Sequence, residues 1–214
     1  MGDMRGERTK AYLQAALIEI LHTKPLEKAT VKEVLDRAQV SKKAFYGHYA
    51  DIFDLAIDSF LWPSARYGKD ARPVREGAGI EEICDTVLHD LVVHLRFIRE
   101  NPNLSRAVLF NMGRNPYYDR AESDGGVLFL TGFAEDRTGP GKAGFLTQDA
   151  CARYSFNGAN ALVRDWLRTG MKQPDELIAK QCLLLNLQCA ALMDGGAVDA
   201  RTVEHIAGWR FEEG

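Results

Sequence analysis

Between Val40 and Tyr49 the sequence reads VSKKAFYGHY, placing two lysines, three aromatic rings and a histidine within barely three helical turns. On a wheel of 100° per residue from Ser41, Ala44, Phe45, His48 and Tyr49 share one side, and Lys42, Lys43, Tyr46 and Gly47 share the other. The first side suits packing against neighbouring helices. The second offers two cations, a phenol and a residue without a side chain, which is chemistry for a polyanion that comes close. Ammonium groups neutralise phosphates, a tyrosine hydroxyl donates to a phosphate oxygen, and glycine lets the backbone approach a groove wall. A glycine in a helix interior costs about 1 kcal/mol, so packing or function has to offset it at Gly47.

No comparable constellation serves bond-making chemistry. GxSxG and HExxH are absent, and His22, His48, His89, His94 and His205 are scattered. His89 with Asp90, and His94 with Asp85, are the nearest approaches to a paired site, and both read as solvated helix faces. Cys84, Cys151, Cys182 and Cys189 include neither a CxxC pair nor zinc-site spacing; they read as buried free thiols, with a redox-sensing cysteine as the alternative. The run TGPGKAG, residues 138–144, has Asp136 where a Walker loop needs glycine and Ala143 where it needs Ser or Thr, so it reads as a loop between helices. No enzyme, metal or cofactor is expected.

The elements that must hold the VSKKAFYGHY segment are legible on either side of it. Leu13, Ala16, Leu17, Ile20 and Leu21 recur at helical spacing from Arg8 to Leu21, ahead of Pro25. Thr30-Val-Lys-Glu33 reads as a capping box opening a second helix that buries Val31, Val34, Leu35 and Ala38. After the short link Gln39-Val40, Ser41 is a second N-cap, which makes a helix-turn-helix. Charge is distributed to match. Residues 1–48 hold nine Lys+Arg against six Asp+Glu, whereas the rest hold 18 against 24, so a basic head precedes an acidic body within a net charge of −3. The 214 residues are 46% hydrophobic and 27% charged, which suits one or two globular domains. No apolar run reaches bilayer-spanning length and the start lacks a secretory signal, so the chain is expected in the cytoplasm, with no membrane partner.

The first amphipathic helix, then ATVKEVLDRAQVSKKAFYGHYAD, then IFDLAIDSFL resemble the tetracycline-repressor (TetR) family of transcription regulators. Thr30, Val40, Ser41, Phe45, Tyr46, His48 and Tyr49 carry the likeness. It implies an all-α fold, with a three-helix helix-turn-helix head joined to a helical ligand-binding and dimerisation body. It also implies DNA contacts at Thr30, Lys42, Lys43, Tyr46, Gly47 and His48, the last on phosphate although the wheel sets it near the packed side. Ser41 and Tyr49 complete the candidate DNA-binding set. Two positions depart from the family pattern: Gln39 stands where a turn glycine is common, and Ile52 where a lysine is common. The missing lysine should cost one phosphate contact without changing which bases are read.

Downstream, Trp62-Pro63 opens a Gly/Pro/Arg-rich link to Gly79, giving a head at 1–50, a connecting helix and linker at 51–78, and a body at 79–214. A long helix follows, with Ile80, Ile83, Val87, Leu91, Leu95 and Ile98 along one face; Asn101-Pro102 ends it and caps a shorter helix through Leu109. Asn115-Pro116 enters a further helical segment ending near Asp136. Two more helices are expected, from Thr147 to Thr169 and from Pro174 to Met193. Their apolar stripes, Phe156 to Trp166 and Leu177 to Leu192, are wider than one partner helix requires. YSFNGANALVRDWLRTGMKQPDELI, with Gly158, Trp166 and Gly170-Met171, resembles a regulatory segment of part of the TetR family. That resemblance implies a homodimer through these helices, for which Leu162, Trp166, Leu177, Leu184, Gln188 and Leu192 are the candidate residues. It also implies a small effector, with His94, Phe97, Tyr117, Tyr154, Asn157 and Trp166 as candidate contacts.

The function expected is a DNA-binding regulator, a ligand-responsive repressor on a palindromic or near-palindromic double-stranded operator. A coregulator acting through protein partners is the alternative.

Overall fold

A computed structural model describes residues 2–70, 77–111, 147–193 and 196–212. Among these the chain is all-helical, as expected, with no strand. It divides into two compact units: residues 1–70 with 97–115, and residues 71–96 with 116–214. The expected turn at Asn115-Pro116, the helical segment to Asp136, the TGPGKAG run and Tyr117 lie outside the described residues. No described helix is long and apolar enough to cross a membrane.

In the first unit, α1 (Gly2–Leu21) buries Leu13, Ala16, Leu17, Ile20 and Leu21. It begins earlier than Arg8 because nothing in the first residues breaks a helix; Gly2 and Gly6 weaken the run without ending it. A single 3-10 turn, Leu26–Lys28, leads to α2 (Val31–Ala38) and then α3 (Lys42–Tyr46). α4 (Ile52–Asp70) starts on the Asp51 carboxylate, which accepts from the amides of Phe53 and Asp54 at 2.8 Å each. It continues through Pro63, where the sequence suggested a link. A proline forfeits one backbone bond and marks a common, but not obligatory, helix boundary. α1 packs on α2 and α4, and α6 (Pro102–Leu109) closes the unit against α1 and α4 with Leu104, Ala107, Val108 and Leu109 buried.

α5 (Ile80–Glu100) has the expected bounds but a different buried register. Cys84, Leu88, Val92, Leu95 and Ile98 are buried, while Ile80 is exposed and Ile83, Val87 and Leu91 are half-buried. Apolar residues stand side by side at Val87-Leu88 and Leu91-Val92, so the stripe accommodates two registers roughly one residue apart. Asn101 precedes α6 as expected but makes no capping bond. Its carboxamide instead donates to Phe97 O (2.9 Å) and faces His22 Nε2 (3.2 Å), while Asn103 donates to Leu21 O at 2.7 Å.

In the second unit, α7 (Gln148–Arg168) and α8 (Asp175–Met193) pack together, and α9 (Ala200–Gly208) packs on α8. Thr147 caps α7, and Gly170 at φ +84° ends it with the paired bonds Gly170 N to Leu167 O and Met171 N to Trp166 O of a Schellman motif. After α9 the tail is strapped down. Lys180 donates to the carbonyls of Ala207 (2.9 Å) and Trp209 (2.7 Å), and Phe211 N donates to Glu176 Oε1 (3.2 Å). The Phe211 ring stacks on His89 (5.1 Å between centroids), with the Arg96 guanidinium 4.1 Å from the ring centroid.

Candidate nucleic-acid interface

The helix-turn-helix is fixed at both caps. Thr30 Oγ1 accepts from Glu33 N (3.3 Å) and donates to Glu33 Oε2 (2.9 Å), which also accepts from Thr30 N, completing the expected capping box. Lys24 pairs with the same carboxylate, and this bond, followed by those from Thr30, holds Glu33 below the usual carboxylate range. Ser41 Oγ accepts from Ala44 N at 3.2 Å and so opens α3. Between the two helices Gln39 adopts φ 53°, ψ 41°, the left-handed conformation, and Val40 N reaches back to Leu35 O. The turn demands what a glycine would supply without steric cost; here Gln39 accepts that strain, and its Nε2 donates to Asp36 O at 2.6 Å.

The wheel drawn from Ser41 describes α3 well. Phe45 is fully buried, Ala44 and His48 are half-buried, and Ser41, Lys42, Lys43, Tyr46 and Gly47 are exposed, as is Thr30, the N-cap of α2. Tyr46 is 51% exposed and its ring stands edge-on to Phe45 (centroids 5.1 Å apart), with Lys42 Nζ 5.9 Å from its centroid. The core ring thus braces the outer ring, and the outer ring steadies a lysine.

Tyr49 requires a correction. It is 4% exposed, and its hydroxyl donates to Asp58 Oδ2 at 2.6 Å, where Gln14 Nε2 also donates at 3.0 Å. Burial first, and then the Asp58 carboxylate, push its pKa upward. Tyr49 therefore ties α1, the end of α3 and α4 together from inside and offers nothing to a partner outside. Gly47 also differs from expectation: at φ −76° it is the C-cap of a five-residue helix, so no helix-interior cost has to be offset. His48 lies beside α1, with a Cβ built on Gly6 coming 3.5 Å from its Cε1.

Of the candidate effector contacts in the body, Tyr117 lies outside the described residues. Burial pushes the His94 imidazole down to about 4. Phe97 is half-buried and its ring lies 6.4 Å from that of Phe60. Tyr154 is 73% exposed, and Asn157 donates to its own helix at Arg153 O. Trp166 is 2% exposed and donates Nε1 to Gln173 O (3.0 Å), which places it inside its own chain rather than on a free face. Of the dimer candidates, Leu177 and Leu192 are exposed, Leu162 and Leu184 half-buried, and Gln188 accepts from Val198 N. Leu185, which belongs to the same apolar stripe but is not among the candidate interface residues, is the most exposed leucine of α8 at 55%.

Asp85 has a histidine partner that the sequence reading did not name. Asp85 meets His205 Nε2 at 2.7 Å, not His94, while His89 Nδ1 and Asp90 lie 3.5 Å apart. Cys84, Cys151 and Cys182 are buried free thiols as expected, whereas Cys189 is free but only half-buried; burial raises the three buried thiols, Cys84 to about 11 and Cys182 to about 12. Among the described residues no cluster of His, Cys, Asp and Glu could hold a metal ion.

Neither a scan against protein-family models nor a search of curated proteins returned a match. Solved structures do match. Full-length native TylP, a TetR regulator from Streptomyces fradiae, aligns over 94% of this chain and 92% of its own, at 18% identity and a TM-score of 0.59. The TetR family repressor AlkX from Dietzia sp. strain DQ12-45-1b, implicated in biodegradation of n-alkanes, aligns over 87% of this chain and 96% of its own, at 16% identity and a TM-score of 0.53. At such identities the likeness is one of architecture, and this chain has the fold of TetR-family regulators.

Proposed function

We propose that this chain is a TetR-type DNA-binding transcription regulator, a homodimeric repressor that releases a palindromic or near-palindromic operator when a small effector binds. Residues 1–50 would read DNA and residues 79–214 would sense and dimerise, joined through 51–78. The observation that carries this reading is the outer side of α3. Lys42, Lys43, Tyr46 and Gly47 are exposed together on a capped helix whose inner side, Phe45 with Tyr49, is anchored in the core. Thr30, Ser41 and His48 flank that side and complete the contact set. A helix this short selects few bases, so two copies one DNA turn apart, ~34 Å, supply the specificity. The exposed leucines of α8 support pairing of two chains. An effector that binds the two states unequally by about 1–3 kcal/mol would suffice for release.

Fluorescence anisotropy against duplex DNA from upstream of the chain's own gene, titrated in salt beside scrambled DNA, tests this. Preferential binding that falls steeply with salt, weakened in Lys43→Ala, is the expected result. Equal weak binding to both duplexes would count against it. The observation favouring the coregulator is Ile52 at the start of α4, where a phosphate-binding lysine would stand; a complete lack of salt-dependent DNA affinity would support that alternative.

A further inference from the structure

The outer side of α3 is rich in hydrogen-bond donors and poor in acceptors. Ser41 to Tyr49 contain no Asp, Glu, Asn or Gln, the side chains that accept from cytosine N4 or pair both ways with adenine. The nearest carboxamide, Gln39, has turned its nitrogen onto Asp36 O, and the Ser41 oxygen is occupied by Ala44 N–H. Lys42 and Lys43, by contrast, are exposed and carry no ion pair among the described residues. Lys42 is also steadied above the Tyr46 ring. Ammonium donors match the acceptor edges of the major groove, and guanine presents two acceptors, N7 and O6, to one such group. Both lysines stand in the first turn of α3, the part of a recognition helix that meets base edges. Lys28 and Lys32, exposed on the preceding turn and on α2, are available to the backbone phosphates.

We infer that Lys42 and Lys43 read guanine N7 and O6, so that each half-site carries a guanine beneath α3; this rests on the DNA-binding reading above. Thymine O4 and adenine N7 each offer such a face one acceptor where guanine offers two, adenine N7 stands beside an amino group, and cytosine presents an amino group alone.

The full chain is used to enrich duplexes from a random library. Each guanine of the preferred duplex is then replaced in turn by 7-deazaguanine, which keeps its pairing but lacks N7, and binding is followed by anisotropy at fixed salt. One position in each half-site should lose about tenfold in affinity on replacement, the scale of a single specific base contact. That sensitivity should vanish in Lys42→Met or Lys43→Met, with thermal melting used to verify that the variants fold. The replacement series on the unaltered protein stands whether or not they do. A preferred duplex that binds in a salt-dependent manner but tolerates every replacement within twofold overturns the inference, leaves DNA binding intact and makes both lysines phosphate clamps. Sensitivity that persists in both folded variants overturns it equally. No enrichment over scrambled duplex overturns both readings.

Discussion

Gln39 shows how one backbone angle sets a local cost. Its left-handed conformation is disfavoured for any residue with a Cβ by about 1–2 kcal/mol, against which stand its bond to Asp36 O and the greater unfolded-state entropy of glycine. Gln39→Gly should therefore raise the stability of the helix-turn-helix by up to about 1 kcal/mol, seen as a melting temperature a few degrees higher; a lower one would show that the side-chain bond dominates. His94 acts through protonation. Its folded value of about 4 lies below the free-imidazole value near 6.5, so between these the unfolded chain binds a proton that the folded chain refuses. The stability associated with the neutral ring is fully present above 6.5 and declines as pH falls toward 4. Urea midpoints at pH 7, 5.5 and 4.5 should drop along this window, and His94→Gln should flatten the drop. Equal slopes in both proteins would mean that another group is responsible.

At the scale of elements, what the sequence makes plain is whatever is local. The Thr30 capping box, the Ser41 cap, the buried Phe45 and the Gly170 stop each depend on residues within a few positions, and each is found where the pattern puts it. What is obscure is long-range. Tyr49 looks like part of an outward signature until Asp58 and Gln14 arrive from other helices to take its hydroxyl, and α5 offers two apolar registers that only its neighbours distinguish. The tail is the clearest instance: nothing in GWRF announces that Phe211 will lie between His89 and Arg96, which stand two helical turns apart on α5. Lys180 holds that arrangement through two carbonyls, with burial drawing its pKa down and Arg210 adding to the effect. Lys180→Met keeps the aliphatic stem and removes both bonds. It should cost roughly 1 kcal/mol and speed amide exchange from Ala200 to Phe211. Unchanged exchange there would mean that the rings alone hold the tail.

For the molecule as a whole, the proposed function depends on two copies acting together, and the exposed α8 leucines are where that dependence can be broken without touching α3. Leu185→Glu puts a charge on a side chain that is 55% exposed in the single chain, so the helical circular-dichroism spectrum should survive. Sedimentation should then report a monomer and operator affinity should fall at least tenfold, because one α3 is left to do the work of two. A dimer that persists would move the interface off this stripe.

The first compact unit is also discontinuous in the chain, its interior being closed by α6 only after residues 71–96 have been made. During translation, the end of the protein that leaves the ribosome first therefore has to wait for α6 before its interior is closed. Until Leu109 clears the exit tunnel, the sides of α1 and α4 that receive α6 stay uncovered, and a nascent chain paused in that interval is a client for chaperones rather than a finished helix-turn-helix.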